Sequence, residues 1–126
     1  MNPPSKAKSI FSWILQILCA AAFFAAGGAK LAGAPPMVQL FDAVGVGQWF
    51  RYVTGVIEVG SGILLLIPGM AAIGAVLLAC TMTGAILTHL FIIHSSPLNP
   101  VVLLILALLI AWMRKDTLAR FAGSNP

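Results

Sequence analysis

Four apolar runs fill most of the chain, divided by short breaks rich in glycine, proline and charge. The first, residues 10–30, opens with 20 consecutive residues that carry no formal charge. As a helix they would extend about 30 Å, the thickness of a bilayer's hydrocarbon core. Gln16, Cys19, Ala20, Phe23, Ala26, Gly27 and Lys30 recur there at three- and four-residue steps, the spacing that gathers side chains on one helix face. Alanines and glycines crowd the second half, and small residues let another helix approach closely in lipid. Lysines ahead of an apolar run also resemble a secretory signal, but this run is longer than a signal core and reads as a retained span.

The second run, residues 49–67, holds Glu58 near its middle. An acidic side chain at the centre of an inserted helix costs about 3 kcal/mol on insertion scales, so it should face a partner or a wet cavity. Arg51, Thr54, Gly55, Glu58, Ser61 and Gly62 share its face, while Val53, Ile57 and Leu64 point elsewhere. Trp49, Phe50 and Tyr52 are the aromatic residues expected at a membrane interface, and counting inward from Trp49 puts Glu58 about 13 Å deep. Between these runs, Gly33, Pro35 and Pro36 break the chain. Residues 37–43 then predict a short amphipathic helix, with Met37, Leu40 and Phe41 on its apolar side, lying on the surface as a roof.

Pro68 and Gly69 predict a tight turn, and so an antiparallel hairpin between the second and third runs. The third, residues 70–93, carries Cys80, Thr81, Gly84 and Thr88, with His89 returning to the side of Lys30 and Arg51. Asn99 before Pro100 reads as the N-cap of the fourth run, residues 98–113. That run has no polar stripe and reads as a lipid-facing wall. Residues 1–9, with Pro3 and Pro4, read as a leader too polar to fold, and Arg114, Lys115 and Arg120 as a polar tail. Lys6, Lys8, Arg114, Lys115 and Arg120 put five basic residues beside the two termini, against Lys30 and Arg51 on the other side. The positive-inside bias then places both termini in the cytoplasm. The expected fold is an all-α membrane protein, one domain over residues 1–126. It has four transmembrane helices and a short interfacial helix between the first two, and lies multi-pass in a bacterial inner membrane.

Composition supports that expectation and excludes others. With 60% hydrophobic and 8% charged residues, against about 25% charged in soluble domains, the excess apolar surface must meet lipid. A net charge of +4 does not point to nucleic acid, because the charges sit at the ends of apolar runs. Cys19 and Cys80 belong to no Cys-x-x-Cys or zinc pattern. Each lies roughly 14–16 Å below the same side, so a transient pairing is conceivable beside the plainer reading of small apolar filler. No metal cluster, nucleophile–base pair or phosphate-cradling loop stands out, and no cofactor is evident from the residues alone.

What remains is a constellation. Lys30, Glu58 and His89, from three different spans, are expected to converge in the outer half of the bundle. Arg51 lies close by, and Gln16, Thr54, Ser61, Thr81 and Thr88 would line the approach beneath the 35–50 segment. A carboxylate beside a cation is tolerable in low dielectric where either charge alone is not. Glu58 with Lys30 or Arg51 reads equally well as a structural pair holding helices in register.

Gly28-Ala29-Lys30-Leu31, the proline loop, Phe41 with Gly45 and Gly47 ahead of Trp49, Gly55-Val56-Ile57-Glu58-Val59-Gly60, and His89 together resemble the DoxX-like family of small four-helix membrane proteins, over about residues 24–100. Members include a subunit of thiosulfate:quinone oxidoreductase and proteins associated with membrane redox complexes, while most have no assigned activity. The resemblance implies a quinone- or redox-linked accessory role. A quinone would suit the constellation, with Glu58 or His89 on a ring oxygen and Phe23 and Phe41 as apolar walls, although core packing explains both phenylalanines equally. Expected partners are the lipid bilayer, subunits of a membrane redox complex and a second copy of the chain. Two other classes stay open: a proton-coupled small-molecule carrier, and an assembly subunit without activity. The carrier ranks lower because small multidrug transporters keep their glutamate on the first span, which here has no acid.

Overall fold

The structure, a computed structural model, describes residues 6–121. The leader prolines Pro3 and Pro4 and the side chain of Arg120 lie outside what is described. Six helices follow in order: α1 (Lys6–Ala32), α2 (Pro35–Val44), α3 (Gln48–Leu66), α4 (Ala71–Phe91), α5 (Leu98–Met113) and α6 (Lys115–Phe121). Three of them, α1, α3 and α4, are long and apolar enough to cross a membrane, while α5 is apolar but has only 16 residues. The long helices match the apolar runs, and α2 falls where the short amphipathic helix was expected. Two boundaries differ. Helix α1 already begins at Lys6, inside the expected unfolded leader, where the Ser9 carbonyl accepts from Arg114 Nη2 at 3.5 Å. Asn99 is not a cap, because α5 starts one residue earlier at Leu98, whose N–H is met by Ser96 Oγ at 3.3 Å.

Each break in the chain has a local cause. Gly33 (φ 72°) closes α1 in a left-handed conformation, with the Gly33 N–H donating to Lys30 O and the Ala34 N–H to Ala29 O, the paired bonds of a glycine helix stop. Pro35 and Pro36 then occupy the first turn of α2, where a missing N–H costs nothing. At the other end Ile67 turns extended, Gly69 takes φ 84°, and the chain reverses through Pro68 as the sequence predicts.

The long helices close a ring. α1 packs most extensively on α3, α3 on α4, α4 on α5, and a lighter contact between α1 and α5 completes it. Lipid is the natural solvent for its outer surface, where Phe11, Leu18, Val56, Leu87 and Ile105 are all exposed. The inside is divided by height. The half nearer the Pro68 turn is a packed core of Cys19, Ala20, Phe23, Leu65, Ala75, Leu78, Met82, Ala107 and Ile110. The half beneath α2 is hollow. Aromatic and basic residues rim both ends: Trp49, Tyr52 and Arg51 at one, and Trp13, Trp112, Lys8, Arg114 and Lys115 at the other. From Trp13 to Lys30 along α1 is about 26 Å, close to one hydrocarbon thickness.

Gly27 and Gly55 set the α1–α3 contact. A Cβ on Gly27 would meet Gly55 O at 2.9 Å and Val59 Cγ2 at 2.8 Å, and one on Gly55 would meet Gly27 O at 3.0 Å. Gly28, one residue along, has open space. Gly27→Ala is therefore expected to lower stability by about 1–3 kcal/mol through overpacking. Gly28→Ala should leave it equal or slightly raised. Denaturant titration of the detergent-solubilised protein, followed by far-UV circular dichroism, measures both.

Candidate functional site

Lys30 and Glu58 meet just beside that glycine contact. The Cα–Cβ bonds of a helix tilt toward its N-terminus, so the Lys30 side chain reaches back along α1 to the level of Gly27. There Glu58 Cβ lies 3.1 Å from where a Gly27 Cβ would stand. Lys30 Nζ comes to 2.7 Å from Glu58 Oε1, with the two side chains 12% and 3% exposed. At that distance and burial the two groups form a close ion pair in low-dielectric surroundings.

Arg51 sits near this pair without joining it. Its Nη1 donates to the Lys30 carbonyl oxygen, its Nε donates to Gln48 Oε1 at 2.6 Å, and its guanidinium stacks over Tyr52 at 4.3 Å. A guanidinium against the last carbonyls of α1 is favourably placed against the helix dipole. It thereby fixes the backbone from which Lys30 projects. Gln48 passes the restraint on, since its Nε2 donates to Val38 O at 3.0 Å and to Asp42 Oδ1 at 2.8 Å, both on α2.

Beneath α2 lies a half-open cavity of about 650 Å³. Met37, Leu40, Phe41 and Val44 roof it from α2, and Phe41 packs edge-on against Phe50 with ring centroids 5.9 Å apart. Lys30 and Ala26 come from α1, Thr54, Ile57 and Glu58 from α3, Cys80, Thr81, Thr88 and His89 from α4, and Asn99 and Leu103 from α5. Its wall is mainly apolar with a few polar groups, the usual make-up of a small-molecule site, and its volume is in the range of one. His89 lines the cavity, with its Nδ1 2.6 Å from Ser95 Oγ in the α4–α5 loop.

The expected site residues therefore divide. Lys30, Glu58, His89, Thr54 and Phe41 share one cavity. Arg51, Gln16 and Phe23 do not line it. Arg51 braces the backbone behind Lys30, and Phe23 is fully buried in the packed half. Gln16 lies near the opposite end, accepting from Ser12 Oγ (2.8 Å) and Arg114 Nε (2.9 Å) and donating to Leu65 O (2.7 Å). Arg114 is thus not a free tail residue, and it also lies over Trp13. Ile57, expected to point away, lines the cavity, as does Asn99, expected to cap a helix. Ser61 follows Glu58 by one turn, is buried, and its hydroxyl has no partner among the described residues. Both thiols are free: Cys19 belongs to the core and Cys80 to the cavity wall, so the two occupy different environments. No group of His, Cys, Asp and Glu suited to a metal ion occurs among the described residues.

Removing one member of a buried ion pair strands the other charge, at a cost of about 3–5 kcal/mol. Lys30→Met should therefore destabilise strongly, and Lys30→Met/Glu58→Leu should regain most of the loss. The same denaturant titration on the two variants checks this.

A protein of Bacillus subtilis (strain 168) named "Putative oxidoreductase CatD" is 31% identical over 84 residues, covering 67% of this chain and 63% of that protein. The chain thus aligns with somewhat less than two thirds of the relative's length. No solved structure shows significant similarity to it. The profile of the DoxX-like family matches residues 14–113, which include α3 and α4 entirely, every residue of the cavity wall and all of α5. With its three long apolar helices, the chain is a multi-pass integral membrane protein, and it belongs to the DoxX-like family.

Proposed function

We propose that this protein is an accessory of membrane redox chemistry whose cavity receives an apolar ring compound of the quinone class. The observation that carries the reading is the cavity itself: about 650 Å³ beneath α2, largely apolar, with the Lys30–Glu58 pair set in its wall. A lipid-soluble ring needs apolar walls for its body and one or two polar groups to orient its oxygens. Lys30, Glu58 and His89 supply those groups, and Phe41 and Phe50 supply flat apolar surface. The name of the Bacillus relative supports a redox role. In this reading α5 is a fourth span and both termini face the cytoplasm of a bacterial plasma membrane, as the basic residues around Lys8 and Arg114 favour. The partners are then subunits of a redox complex or a second copy of the chain.

Purified protein in nanodiscs is expected to retain quinone, and Glu58→Gln to weaken retention about tenfold, the usual scale for losing a charged hydrogen-bonding partner. Quinone-dependent electron transfer in native membranes should fall in parallel. Equal retention and equal transfer in the two proteins would remove the proposal. Uptake driven by a pH gradient in proteoliposomes and dependent on Glu58 would replace it with a carrier function.

A further inference from the structure

The threonines of the cavity wall have already committed their protons. Thr54 Oγ1 donates to Phe50 O at 2.9 Å, Thr81 Oγ1 to Leu77 O at 2.9 Å, and Thr88 Oγ1 to Gly84 O at 2.8 Å. A hydroxyl has one proton and two lone pairs. In an apolar helix, the carbonyl one turn back is the nearest place to put that proton. Thr83, which is not part of the cavity wall, makes the same bond to Ala79 O at 2.8 Å, so the habit belongs to the helix and not to the site. Its consequence is felt only inside the cavity. There, three threonines line the wall with their protons already spent, so their oxygens can meet a ligand only as acceptors, and the Glu58 carboxylate adds another acceptor.

The donors of the wall lie off the Thr81–Thr88 stripe: Lys30 on α1 turns toward Glu58 with ammonium protons to spare, the His89 ring has one nitrogen engaged with Ser95, and the Asn99 amide on α5 serves either way. A ligand presenting carbonyl oxygens to the threonines would have to pull each hydroxyl off its own helix, losing one bond to make another. A ligand presenting hydroxyls gains bonds and breaks none. Thr81 and Thr88 are seven residues apart on α4, hence on one face and separated by about 10.5 Å. That is close to the span of a six-membered ring bearing hydroxyls at opposite ends with a hydrogen bond beyond each.

We infer that the cavity selects its ring compound in the reduced, hydroxyl-bearing form, quinol over quinone, and that Thr81 and Thr88 set this preference. The inference rests on the ring-compound reading of the cavity and adds to it which oxidation state is held. It requires no electron transfer by the chain itself.

The test is anaerobic equilibrium dialysis of the nanodisc-embedded protein against a short-chain benzoquinone and, separately, the corresponding hydroquinone. The hydroquinone is expected to bind about tenfold more tightly, a ratio that one or two extra hydrogen bonds supply. Thr81→Val/Thr88→Val should erase the difference by weakening hydroquinone binding alone. Thr81→Ser/Thr88→Ser should keep it, and Thr83→Val should leave it unchanged. Equal binding of the two forms, or tighter binding of the quinone, overturns the inference while leaving the ring-compound reading in place. So does an equal loss of both in the valine pair. Failure of the native protein to bind either form overturns both. The ratio in native protein decides the matter even if the valine pair does not fold.

Discussion

The ion pair between Lys30 and Glu58 is the constraint that organises this bundle. Neither charge tolerates an apolar surrounding alone, and their mutual attraction offsets desolvation only if they are brought together closely. The chain achieves this with absent side chains. Gly27 and Gly55 let α1 and α3 approach to backbone contact, and three residues beyond each glycine stands one member of the pair. Register, crossing point and charge placement are thus a single solution. Sliding α1 along α3 would separate the charges and give up the glycine-to-glycine approach. Arg51 secures the same arrangement from outside by holding the carbonyl of Lys30 itself.

A second polar cluster does comparable work at the opposite end. Ser12, Gln16 and Arg114 link α1, the last turn of α3 and the end of α5 through bonds of 2.7–2.9 Å. In an apolar surrounding, such bonds are formed because the alternative is a bare polar group. Burial pushes the Arg114 guanidinium below its ordinary range, yet an arginine remains charged there. The bundle is therefore fastened at both ends. Between the fastenings, alanine and leucine pack one half tightly, while threonine, cysteine and glycine on α4 leave the other half open.

Much of this was legible in the residues. The stripe on α1 was read from Gln16 onward, and the helix buries Gln16, Cys19, Ala20, Phe23 and Gly27 as expected. Ser12 extends the same stripe by one turn, where a small hydroxyl residue among apolar neighbours carries too little polarity to mark a face by itself. On α3 the buried face is Arg51, Gly55, Glu58, Ser61 and Gly62, again as the spacing implies. Periodicity identifies a face, however, and not the neighbour opposite or the height at which it meets. Gln16 and Lys30 share a stripe but serve opposite ends of the molecule, and Phe23 between them belongs to the core. Arg114 could not have been joined to Gln16 by any local pattern, since 98 residues separate them. Taken alone, Lys30 reads more readily as a lysine reaching out to the interface, whereas its contact with Glu58 beside Gly27 turns it inward.

Helix α2 is attached differently from every other part. Phe41 is its one buried residue, the hydrogen bonds that tie it down come from a single side chain, Gln48, and Gly33, Gly45 and Gly47 at its two ends all adopt positive φ. Short, lightly held segments flanked by glycine open at far smaller cost than the whole molecule unfolds. Amide protons of residues 37–44 would then exchange with solvent through a local opening that leaves α1 and α3 intact. Each such excursion would lift the roof from a cavity that is already half-open, and so widen its mouth without disturbing the helices that form its walls.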